Sequence, residues 1–153
     1  MKKRVFLGWL ITAVFLAFPF NAVAGPREDA QAVFDKFLNS FTAANAEEVL
    51  SLFTPDALFW GTTSPNLATT PDAIRQYFVG AFGRLGSSKA TSLETSALVL
   101  SNSVVLVSGM WHIERVVDGK PTLTPQRVSL VVTKRGDRWL IAQFHNSPWP
   151  KPR

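Results

Sequence analysis

The chain has 153 residues, of which 46% are hydrophobic and 18% charged, with a formal net charge of +5 and no cysteine. The lack of cysteine excludes a disulfide-stabilised fold and, with only two histidines, argues against a structural zinc site. The length suits one domain, and no cluster of lysines and arginines indicates a nucleic-acid-binding protein.

Residues 1–24 are predicted to be a cleaved signal peptide. Lys2, Lys3 and Arg4 precede an almost wholly apolar run, and Ala22-Val23-Ala24 places small residues at the cleavage positions. A retained membrane anchor is the alternative, because the apolar run approaches the length that spans a bilayer. Cleavage removes three of the sixteen basic residues and no acidic residue, which lowers the net charge to +2. We therefore expect a periplasmic or secreted protein that has no membrane contact after cleavage.

Three helices are predicted after the signal. The first carries an apolar stripe at helical spacing: Ala30, Val33, Phe34, Phe37, Leu38 and Phe41. Asn45 and Glu48 predict the capped start of a short second helix. Thr70-Pro71 predicts the start of a third helix, which includes Tyr77 and which Gly83 and Gly86 are expected to end.

The strands are predicted from the change to an alternating pattern. A short strand covers 56–61, and four long strands cover about 91–100, 104–117, 122–133 and 138–146. Asp118-Gly119 indicates a hairpin between the second and third long strands. Helices followed by antiparallel strands predict a single α+β domain over 25–149, with a proline-rich tail at 150–153.

The order of these elements, with T-P-D-A-L-F-W-G at 54–61 and R-G-D-R-W-L-I-A-Q-F-H-N-S at 135–147, resembles the nuclear transport factor 2-like superfamily. Within it, the chain is most similar to the association domain of calcium/calmodulin-dependent protein kinase II and to SnoaL-like bacterial proteins. The resemblance implies a cone-shaped fold, in which a strongly curved antiparallel sheet wraps around a long N-terminal helix with two further helices. It also implies a pocket in the open end of the cone and a homodimer formed through the outer sheet face.

His145 is the leading candidate for a functional residue. Trp139, Ile141, Gln143 and His145 alternate along the last strand, so the pattern places them on one face. A histidine there can act as a general base or, once protonated, bind a ligand carboxylate. A structural histidine is the alternative.

Arg127 interrupts an apolar strand, where a charge normally has a partner. A three-residue turn at 135–137 would place Arg127 on the same face as His145, and a two-residue turn would separate them. If they converge, Arg127 can bind an anionic ligand. The alternative is a charge that faces water.

Aromatic side chains are expected to form the walls of the pocket. Trp60, Tyr77 and Trp111 combine an apolar ring with a polar atom, and Gln143 and Ser147 add polar groups beside His145. The resemblance to ketosteroid isomerases implies that Tyr77 could donate to a developing oxyanion, although its position on the helix favours plain core packing. No carboxylate base is evident in the predicted pocket.

Three hypotheses for function follow. The first is an exported small-molecule-binding or oligomerisation module, with a pocket for an apolar or weakly acidic ligand. The second is a cofactor-free isomerase, cyclase or hydratase of the SnoaL or ketosteroid-isomerase type, with His145 as general base. The third is a dimerisation domain without a ligand. None of them calls for a cofactor or a metal.

Overall fold

The computed structural model describes residues 25–150, so the predicted signal peptide and the last three residues of the tail lie outside the described part of the chain. The elements in order are α1 (Pro26–Thr42), α2 (Ala46–Leu50), β1 (Phe53–Trp60), α3 (Pro71–Leu85), β2 (Ser88–Ser101), β3 (Val104–Val117), β4 (Lys120–Arg135) and β5 (Arg138–Pro148). None of the helices between residues 25 and 150 is long and apolar enough to cross a membrane.

The two predicted helix caps are confirmed. Asn45 Oδ1 accepts a hydrogen bond from the Glu48 N–H at 3.0 Å, and Thr70 Oγ1 accepts one from the Ala73 N–H at 3.2 Å. Each bond satisfies an amide that has no partner inside its helix. The third helix continues through Gly83 and ends before Gly86, whose φ of +62° a residue with a side chain rarely adopts.

The five strands form one sheet in the order β1-β5-β4-β3-β2. The hairpins that join β2 to β5 are antiparallel, as predicted. The first strand differs, because β1 runs parallel to β5. The β1 strand lies between α2 and α3 in the chain and forms the edge of the sheet opposite β2. Phe59 also pairs with Ala68, so the loop after β1 covers part of that edge.

The core lies between the helices and one face of the sheet. All six residues of the predicted α1 stripe are buried, and Phe37 contacts both Phe144 on β5 and Trp111 on β3, with ring centroids 5.0 Å and 6.1 Å apart. Both α1 and α3 pack on this inner face. The opposite, outer face of the sheet is not covered by any described helix.

A β-bulge in β5 decides which side chains face the core. The turn between β4 and β5 has two residues, Gly136 and Asp137, with a φ of +61° at Gly136. The register shifts between the pairs Val132–Ile141 and Val131–Gln143, so Ala142 is an extra residue without a partner. Because of this extra residue, the side chains after Ala142 face the opposite side of the sheet from the one that regular alternation predicts.

Candidate functional site

A cavity of about 190 Å³ lies between α1, α3 and the inner face of the sheet. Most of its lining is aromatic or aliphatic, and its polar side chains come from the loop after β1 and from the ends of β4, β5 and α3. The lining residues are Phe37, Phe41, Phe59, Thr62, Thr63, Tyr77, Phe78, Ala81, Arg84, Leu85, Trp111, Ile113, Thr124, Gln126, Phe144 and Asn146.

Four side chains that line the cavity form a hydrogen-bond network. The Trp111 indole N–H donates to Asn146 Oδ1 at 2.8 Å, and Asn146 Nδ2 donates to Gln126 Oε1 at 3.0 Å. Asn146 Nδ2 also donates to Thr62 Oγ1, and Thr62 Oγ1 donates to Gln126 Oε1 at 3.1 Å. The network joins β3, β4 and β5 to the loop after β1.

The indole fixes the direction of the whole network. Since an indole nitrogen can only donate, Asn146 must turn its oxygen toward Trp111 and its nitrogen toward Gln126. Gln126 must then present Oε1 to Asn146, which leaves its Nε2 with two N–H groups to donate. Gln126 is 2% exposed, and its Nε2 donates no hydrogen bond to the described protein atoms. The Nε2 atom is not among the fully buried, unpaired polar atoms of the described residues, so it faces the cavity, where water or a ligand oxygen can accept from it.

Tyr77 is held against the loop after β1. A Cβ atom on Gly61 would lie 2.2 Å from Tyr77 Cζ, so only glycine allows the ring to approach this closely. The Tyr77 ring also packs edge-on against Phe59, with centroids 4.8 Å apart. The Tyr77 hydroxyl has no hydrogen-bond partner among residues 25–150, so it is a second donor that a ligand in the cavity can use.

Two exposed residues, Thr63 and Arg84, mark the mouth of the cavity. The Arg84 Nη2 donates to Thr63 Oγ1 at 3.3 Å. Behind them, the loop is held by the Gly61 N–H, which donates to Ser64 Oγ at 3.1 Å, and by the bonds of Thr62 to the network. This loop therefore forms one wall of the cavity, beside the C-terminal part of α3.

Of the predicted site residues, Tyr77 and Trp111 line the cavity and the other five do not. His145, Arg127 and Ser147 lie together on the outer face of the sheet, in a shallow groove of about 480 Å³. Trp60 is 40% exposed and pairs with His145, and Gln143 precedes His145 on the same face. The prediction that these five side chains belong to the pocket is wrong.

The bulge and the alternation along β1 explain these errors. Arg127 pairs with Ser147 and Ser129 pairs with His145, so Arg127 and His145 do share a face despite the two-residue turn. That face is the outer one, because Ala142 separates the buried Ile141 from Gln143 and His145. Trp60 points outward because its neighbour Phe59 is buried in the core.

Sequence reasoning missed Gln126, Asn146, Thr62 and Arg84. A signal for two of them exists in the alternation, since Gln126 is two residues before Val128 and Asn146 is two residues after Phe144, both buried. A polar residue that continues an inward-facing apolar series is expected to be buried and hydrogen-bonded. Thr62 and Arg84, in contrast, depend on how the loop and α3 pack, which no local pattern reveals.

The sequence profile of the SnoaL-like domain matches residues 30–151. None of the curated proteins matches the chain.

Among solved structures, a bacterial protein from Xanthomonas campestris named as a calcium/calmodulin-dependent protein kinase II association domain has 22% identity and a TM-score of 0.74, over 85% of this chain and 95% of that one. A ketosteroid isomerase-like protein from Erwinia carotovora has 17% identity and a TM-score of 0.69, over 82% and 97% of the two chains. A protein of the NTF2-like family from Streptomyces avermitilis, named as a dehydratase, has 13% identity and a TM-score of 0.71, over 81% and 96%.

These structural similarities establish the fold, and the profile match establishes the family. The cone of three helices and a curved five-stranded sheet is the nuclear transport factor 2-like fold, as the sequence predicted. The chain belongs to the SnoaL-like domain family.

Proposed function

We propose that the protein is a small-molecule-binding domain, whose cavity takes an apolar ligand with one hydrogen-bond acceptor. The observation that carries this proposal is the amide of Gln126, which is 2% exposed, lines an apolar cavity and has both N–H groups without a protein acceptor among residues 25–150. A ligand oxygen at that point would accept the hydrogen bond that water in the cavity otherwise accepts.

The size and lining of the cavity indicate the kind of ligand. An engineered apolar cavity of about 150 Å³ in another protein binds benzene. A cavity of about 190 Å³ therefore suits one aromatic ring with a short substituent. Phe37, Phe41 and Trp111 offer ring faces and edges to such a ligand. Tyr77 and Gln126 offer the polar contacts that orient it.

The lining supports binding better than catalysis. A general base that works near pH 7 is normally His, Asp or Glu. Within the described part of the chain, the cavity is lined by none of these, and His145 lies on the other face of the sheet. The hypothesis of an enzyme with His145 as its base therefore lacks the required contact between base and ligand.

Acetophenone and ethylbenzene test the proposal, because they differ by one carbonyl oxygen. We expect acetophenone to shift the NMR signals of Trp111 and its neighbours, and to bind several times more tightly than ethylbenzene. Gln126→Leu should lower the affinity for acetophenone about fivefold, the factor that corresponds to a hydrogen bond of about 1 kcal/mol. The preference for acetophenone over ethylbenzene should then be lost. Gln143→Leu is the matched control, since Gln143 lies on the outer face and its loss should change nothing.

Tyr77→Phe serves as a second variant if Gln126→Leu does not fold. The proposal is overturned if acetophenone binds only in the outer groove, or if it binds no better than ethylbenzene.

The outer face favours a second function, the formation of a homodimer. Leu58 and Trp60 are 45% and 40% exposed on this face, and no described helix covers them. Apolar surface of this kind on a sheet commonly packs against another protein. We expect Leu58→Glu to convert a dimer into a monomer in sedimentation velocity measurements. Leu67→Glu should have no effect, because Leu67 is exposed in the loop after β1. A wild-type monomer would contradict this second proposal.

A further inference from the structure

We infer that the ligand is a monocarboxylate, whose carboxylate binds the Arg84 guanidinium at the mouth of the cavity while its apolar part fills the interior. This inference rests on the proposed binding function and adds the charge of the ligand and the residue that recognises it.

The position of Arg84 is set by α3. Tyr77, Ala81 and Arg84 follow each other at helical spacing, and all three line the cavity. The Arg84 side chain runs back along the helix toward Gly80. Its Nη1 lies 3.3 Å from the position that a Cβ atom on Gly80 would occupy. Its guanidinium thereby reaches Thr63 on the opposite side of the mouth.

The charge of Arg84 is not balanced by a described acidic residue. The arginines that form ion pairs among residues 25–150 are Arg75, with Glu47 and Asp72, and Arg135, with Asp56. The cavity itself is lined by no carboxylate in this part of the chain. A guanidinium of this kind, at the edge of an apolar cavity, binds a carboxylate oxygen pair through parallel N–H donors.

Two polar groups of the cavity define what the ligand carries. The amide of Gln126 is buried and the guanidinium of Arg84 is exposed, and both line the same mostly aromatic cavity. A ligand that satisfies both has an acceptor, an apolar body and a single negative charge. One guanidinium balances one carboxylate, which favours a monocarboxylate over a dianion.

The experiment uses 4-oxo-4-phenylbutanoate and its neutral amide, which share the aryl ketone and differ in charge. Isothermal titration calorimetry should show that the wild-type protein binds the carboxylate at least about fivefold more tightly, as for an exposed ion pair of about 1 kcal/mol. This preference should fall as sodium chloride is raised, because salt screens exposed charges.

Arg84→Gln should abolish the preference for the carboxylate and leave the affinity for the amide unchanged. Arg127→Gln is the matched control, because Arg127 is also an exposed arginine but lies in the outer groove. The inference is overturned if Arg84→Gln keeps the preference, or if Arg127→Gln removes it. In both cases binding of the amide and of acetophenone would show that the proposed function still holds. If no probe binds, the two proposals fall together.

Discussion

The indole N–H of Trp111 and Oδ1 of Asn146 are joined by a hydrogen bond of 2.8 Å, and this bond orients the side chains of Asn146 and Gln126 in the lining of the cavity. The indole nitrogen of Trp139 is different, because it is buried without a partner in the described part of the chain. Comparing substitutions at the two tryptophans therefore distinguishes the contribution of the hydrogen bond to stability from the effect of replacing an indole ring.

We expect Trp111→Phe to lower the free energy of unfolding by about 1–3 kcal/mol more than Trp139→Phe. The first change leaves the buried Asn146 oxygen without its donor, and the second removes a donor that has no partner. Urea unfolding followed by far-UV circular dichroism measures both. An equal or larger loss in Trp139→Phe would show that the hydrogen bond does not stabilise the fold.

Gly61→Ala is expected to destabilise the protein by about 1–3 kcal/mol, the usual cost of overpacking. The new methyl group would overlap the Tyr77 ring, which would have to move within the cavity. Gly83→Ala is the control and should stabilise the protein by up to about 1 kcal/mol through helix propensity. Thermal or urea unfolding distinguishes the two. A neutral effect of Gly61→Ala would mean that Tyr77 moves aside at no cost.

His145→Ala should change the free energy of unfolding by less than about 0.5 kcal/mol, because His145 is exposed on the outer face. It should also leave the binding of acetophenone unchanged. Asn146→Ala, one residue further on, should cost about 1–3 kcal/mol, because it leaves the buried Trp111 indole N–H without an acceptor and removes one of the two donors to Gln126 Oε1. Weaker ligand binding in His145→Ala would restore His145 as a site residue.

Deletion of Ala142 should leave the domain folded. Ala142 has no partner on β4, so its removal makes Ile141 and Gln143 neighbours opposite Val132 and Val131, and Phe144 still faces the core. A deletion within a regular strand would instead turn Phe144 outward, and the loss of its burial alone costs about 3–5 kcal/mol, a large part of the stability of a domain this size. NMR signals that lose their dispersion in the deletion variant would contradict the assigned register.

The fold was predictable because its signals are local and repeated. The α1 stripe, the caps at Asn45 and Thr70 and the Asp118-Gly119 hairpin each follow from residues close together in the chain. The parallel pairing of β1 with β5 was not predictable, because the two strands are far apart in sequence and no pattern in β1 specifies its direction.

The site was less predictable because it depends on one residue of register. The alternation from Trp139 to His145 reads as one continuous face, and nothing in the residues around Ala142 marks the bulge. The prediction therefore selected His145 instead of its neighbour Asn146. Arg84 was missed for another reason, since the direction of its side chain depends on how it packs beside Gly80 on α3.

The position of β5, between β1 and β4, also bears on the speed with which the domain folds. Ile141 donates to the Leu52 carbonyl at 2.8 Å, and Phe144 lies beside Phe59, so this strand joins segments made far apart in time during synthesis. Contacts between distant parts of a chain slow the search for the native state. We therefore expect folding on the millisecond-to-second scale, with the aromatic interior left open to chaperones until residues 138–148 dock.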